Sequence, residues 1–128
     1  MSLLEMDLSA LLAINGIGVV GVNIFRSVLS EEGSNQVVVR DESGMPSIEG
    51  PVSDRRVLFL VRNLNFDTGA AIVENIKEIV HDKVDLLAVL SGPQKKVAYS
   101  RAIDASHYRG LDNQRRHVLI ITCSMIVK

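Results

Sequence analysis

The chain has 128 residues, a mass of 14.0 kDa and a formal net charge of −1 from 14 basic and 15 acidic residues. That fits one domain over residues 1–128 and gives no overall basic excess pointing to nucleic acid. Apolar residues make up 47% and charged residues 23%, which sets collagen-like and disordered classes aside, and the single cysteine, Cys123, excludes a disulfide-stapled fold.

Residues 1–12 hold six Leu and Met side chains after the initiator and no Lys or Arg. The basic region of a signal peptide is missing, so the segment reads as a short helix or lead-in packed on the core. The apolar blocks are too short to cross a bilayer. With one unpaired cysteine, the expected compartment is the cytoplasm and no membrane partner is expected.

Residues 10–15 form an apolar run that ends at glycines and reads as a buried strand. Gly16, Gly18 and Gly21 follow, and Val22, Phe25, Val28 and Leu29 then fall at helical spacing up to a stop near Gly33. The β-branched run Val37, Val38 and Val39 reads as the next strand. Residues 41–54 carry Gly44, Pro46, Gly50 and Pro51 and read as a mobile loop.

Residues 57–61 are an uninterrupted apolar strand. Ile72, Val73, Ile76, Ile79 and Val80 give the clearest amphipathic helix of the chain. Residues 86–90 read as a further buried strand. Residues 94–114 admit either a helix starting at Pro93 or a strand over 97–103. Residues 118–122 are a last apolar strand. Alternation of this kind predicts an α/β Rossmann-like domain: three layers, doubly wound, with a mainly parallel sheet of about five strands. The loops holding Gly16–Gly21 and Thr68–Gly69 would then meet at the switch point, where such sheets bind ligands.

The spacing Gly16-x-Gly18-x-x-Gly21, between an expected strand and an expected helix, suits a phosphate: glycines let backbone N–H groups approach an anion, and a helix start adds partial positive charge. Asp41 stands twenty residues after Gly21, where a carboxylate would meet the ribose hydroxyls of a dinucleotide. The opposite reading of these glycines is close helix–sheet packing, and of Asp41 a solvated loop acid.

Gly16 through Asn23 resembles the glycine-rich first loop of the FtsZ/tubulin family. Thr68-Gly69-Ala70-Ala71 and the helix after it resemble the end of the tubulin signature, and Val89 to Pro93 resembles the next strand and its proline. The resemblance runs from about Ala10 to Ser124. It implies that Gly16, Gly18, Gly21, Asn23, Thr68 and Gly69 contact a guanine nucleotide. It also implies no GTPase cycle, because the family's acidic catalytic loop lies in a region this chain lacks. Ile14-Asn15-Gly16 with Gly18 and Gly21 is also similar to glyceraldehyde-3-phosphate dehydrogenase, which implies NAD as the alternative ligand.

Cys123 reads as a buried structural thiol rather than a nucleophile. His81, His107 and His117 lack metal-ligand spacing, and no metal or catalytic group is expected. His81 suits a helix C-terminus. Lys95, Lys96, Arg101, Arg109, Arg115 and Arg116 read as a solvated face. The functional expectation is a small nucleotide- or phosphate-binding domain, with a non-enzymatic self-associating module as the alternative, motivated by the high apolar content.

Overall fold

A computed structural model of the chain describes residues 3–26, 35–42, 53–93, 95–103 and 107–127. In chain order the elements are helix α1 (Leu3–Ile14), strands β1 (Ile24–Arg26), β2 (Gln36–Asp41) and β3 (Ser53–Asn63), helix α2 (Phe66–Val80), and strands β4 (Lys83–Val84), β5 (Val97–Ala102), β6 (His107–Leu111) and β7 (His117–Val127), with a single 3-10 turn at Leu86–Val89. The strands form one sheet in the order β1-β2-β3-β7-β5-β4, with β6 also paired to β7.

Every strand pairing is antiparallel except β1 with β2. The central pair, β3 and β7, stays in register over eleven residues, from Ser53 opposite Val127 to Asn63 opposite His117. Because β3 occupies one flank of β7 along its whole length, β5 and β6 share the other. β5 takes the end near Val127 and β6 the end near His117.

Side chains alternate across a strand, and here the alternation decides the architecture. Val37, Val39, Val57, Phe59, Val61, Leu119, Ile121, Cys123 and Met125 all point to one face and form one buried cluster with both helices. On α1, Leu4, Leu8, Leu11 and Leu12 recur at helical spacing and are buried. On α2, Gly69, Val73, Ile76 and Val80 do the same. The opposite face carries Leu58, Leu60, Val118, Ile120 and Ile126, all partly exposed, and Val38 of β2, which is buried; neither helix covers it. Among the described residues two layers result, not three.

The Rossmann-like expectation is therefore corrected: the sheet is mixed, seven-stranded and almost wholly antiparallel, with two α-helices on one face. Residues 10–14 continue α1 rather than forming a strand, and Asn15 lies in the turn that follows. Residues 24–26 are β1 where a helix was expected, and the remainder of that helix, 27–34, lies outside the described residues. Residues 86–90 hold the 3-10 turn. Between the alternatives for 94–114, the described part is a strand over 97–102 and a second over 107–111. The expected mobile loop at 41–54 falls largely on 43–52, outside the described residues. No described helix is long and apolar enough to cross a membrane.

The one-sided core gives a direct test. Phe59→Ala, on the helix-covered face, should cost about 3–5 kcal/mol in urea unfolding. Its chain neighbour Leu60→Ala, on the open face, should cost only about 1–2 kcal/mol. Equal losses would contradict a single buried face.

Candidate functional site

The glycine loop follows the C-terminus of α1, not the end of a strand. The Gly16 N–H donates to the Ala13 carbonyl and the Ile17 N–H to the Leu12 carbonyl, closing the last turn, with Gly16 at φ +79°. Glycine tolerates that left-handed conformation, and helices commonly end this way. The end of a helix carries partial negative charge, the wrong sign for a phosphate.

Several of the loop's own amides are occupied. The Val19 N–H donates to Asn23 Oδ1 at 2.7 Å and the Gly21 N–H to the Ile24 carbonyl at 2.9 Å. The Val19 carbonyl accepts from the N–H groups of Val22, Asn23 and Ile24. A Cβ at Gly18 would stand 2.5 Å from Asn23 Oδ1, so glycine there makes room for this Asn23 brace.

The seven residues singled out in the sequence do not converge. Asp41 ends β2, where its carboxylate meets Arg55 and its N–H donates to Glu5 Oε2 at 2.7 Å. Glu5 lies near the start of α1 and Gly16 just past its end, about 16 Å apart at 1.5 Å per residue. Thr68 and Gly69 lie in the first turn of α2. The Thr68 N–H donates to the Asn65 N-cap oxygen at 3.0 Å, and a Cβ on Gly69 would press on Leu119 at 3.0 Å. Gly16 faces the other end of α2, beside Asn75, Glu78 and Ile79. The expected meeting of two loops over one sheet edge is not what the fold builds.

Cys123 is buried facing the helices, and desolvation pushes its thiol up to about 12, so it is protonated at neutral pH. His117 is six residues along β7, about 20 Å at 3.3 Å per residue, and is no base for it. His81 caps α2, its N–H donating to the Lys77 carbonyl while its Nδ1 accepts from Ala102. Among the described residues no three His, Cys, Asp or Glu side chains are grouped to hold a metal. Sequence reasoning passed over Glu5 and Asp7, two buried acids of α1. The Asp7 carboxylate accepts from the Lys95 N–H at 2.7 Å. Their signal was a pair of carboxylates inside an otherwise apolar run.

What the structure does assemble is exposed apolar side chains at both ends of α2. At one end a groove of about 620 Å³ runs between the close of α1, the last turns of α2 and β4; Ile17, Ile79, Val84 and Val89 line it together with polar Asn75, Glu78, Lys83 and Asp85, and more of its surface is polar than apolar. Val84 and Val89 are 72% and 69% exposed. At the other end Phe66 packs edge-on to Tyr108 with ring centroids 5.2 Å apart, and the Tyr108 hydroxyl meets His117 Nδ1 at 2.8 Å. Exposed Leu64 and Leu111 flank this cluster.

No protein-family model matches the chain, and no curated protein does. Among solved structures, it resembles a chain of the "Virion of native gene transfer agent (GTA) particle", with a TM-score of 0.55 and 14% identity over 96% of this chain and 90% of that one. At that identity the likeness is one of fold. Together with the antiparallel sheet it overturns the FtsZ/tubulin resemblance, whose blocks here serve as a helix cap, a helix start and the bend that closes a 3-10 turn.

The β6–β7 turn is held by Asp112. Its carboxylate accepts from the N–H groups of Gln114 and Arg116, both at 2.9 Å, and from Arg116 Nε at 2.8 Å. Arg116 is itself buried, which removes it from the solvated basic face expected from sequence. Partial burial pushes the Asp112 carboxyl up, but the two backbone donors and the Arg116 guanidinium outweigh it and hold the group below its ordinary value of 3.8. A carboxylate lowered in the folded state stabilises fully above its unfolded value and loses that contribution as pH falls through the folded one. Asp112→Asn should therefore destabilise at neutral pH, and the gap to wild type should close in acid, below about pH 4. A gap constant across that range would contradict this role.

Proposed function

We propose that this protein is a non-enzymatic structural subunit that works by associating with copies of itself in a protein particle. The observation that carries the reading is the fold likeness over 96% of the chain to a chain of a gene transfer agent virion. Supporting it physically, aliphatic side chains stand in water at both ends of α2 on a chain of only 128 residues. Contiguous exposed apolar surface on a small domain favours association, at about 25 cal/mol per Å² removed from water.

Sedimentation velocity tests the reading. The weight-average mass should rise above 14.0 kDa as concentration increases through the micromolar range. A chain that stays at monomer mass up to about 100 μM, where an 8 kcal/mol contact would already be saturated, overturns it.

A further inference from the structure

The two exposed patches differ in charge. One is the groove between α1, α2 and β4. The other is the exposed tip made by Phe66 and the β6–β7 hairpin. Phe66 and Ile79, which mark them, are thirteen residues apart on one straight helix, about 20 Å.

The groove presents two carboxylates, Glu78 and Asp85, against one ammonium, Lys83. The tip presents the exposed cations Arg109 and Arg115 against one exposed acid, Asp67 beside Phe66, while Asp112 is held by Arg116. The groove is thus net negative and the tip net positive: a patch meeting its own copy across a two-fold axis brings like net charges together, and a tip meeting a groove brings opposite ones. In a tip-to-groove contact, exposed Leu111 and Tyr108 would stand against Val84, Val89 and Ile17.

We propose that copies of this chain associate head to tail, the Phe66 and β6–β7 tip of one seated in the α1–α2–β4 groove of the next. The proposal rests on the self-association proposed above and names its interface. A contact between two different patches leaves one of each unused on every dimer, so it propagates until a ring closes or a filament grows.

Cysteine cross-linking tests it, because Cys123 is buried and protonated and does not compete. Leu111→Cys places a thiol on the tip and Val89→Cys one on the groove, both at exposed positions. Under mild oxidation, a mixture of the two variants should give a disulfide-linked pair containing one of each, and either variant alone should give none. Arg109→Glu in the first variant or Asp85→Arg in the second should each reduce that linkage about tenfold, about 1.4 kcal/mol, and the two together should restore it. Far-UV circular dichroism checks that each variant keeps its fold. Linkage of like with like, or no mixed linkage in a chain that sediments as an oligomer, overturns this interface and leaves self-association standing. A wild-type chain that remains a monomer overturns both.

Discussion

Eleven consecutive antiparallel pairs between β3 and β7 are the constraint from which the rest of the molecule follows. Two strands of that length in full register fix which residues face the helices, since a slip of one position would turn every side chain to the other face. Phe59 and Ile121 are paired on the covered face, and Leu60 and Ile120 on the open one. The flanks of the pair then set the positions of the remaining strands. β2 lies beyond β3 and carries β1 at the edge, while β5 and β6 divide the far flank of β7.

The same ladder places the exposed ends. α2 leaves β3 at Asn63, starts on the Asn65 cap and runs back across β3 and β7 for fifteen residues. Its first residue, Phe66, thereby meets Tyr108 of β6, and its last turns reach the groove beside β4 and the close of α1. Glu5 and Asp7 fasten α1 to Asp41 and to Lys95 through backbone amides, so the groove has a wall anchored at its far end.

Much of this was legible as local pattern and little of it as topology. The strands at Val37–Val39, 57–61 and 118–122 and the helix ending at Val80 were readable from β-branched runs and a 3.6-residue period. β3 and β7 misled because their open face carries Leu58, Leu60 and Ile120 beside the buried residues, so a half-covered antiparallel strand looks like the continuous apolar run of a parallel one. The glycine loop misled for a different reason. Glycine serves a helix C-cap and a phosphate turn equally well, and only the element before Gly16 separates them. That element is α1, which the apolar residues 10–15 disguised as a strand. The groove and tip gave no sequence signal, since Val84, Val89 and Leu111 become neighbours of other exposed residues only through the β4–β5 and β6–β7 pairings.

In the proposed association, both ends of α2 that are open in the free chain become covered, while the β3–β7 centre stays as it is. Amide hydrogen exchange read by mass spectrometry on dilute and on concentrated protein tests that most directly. Protection should increase at 107–116 and at 83–90 on concentration, while β3 and β7, already slowest, remain unchanged. Gains confined to the open face of the sheet, or no gain anywhere while the mass rises, would contradict it.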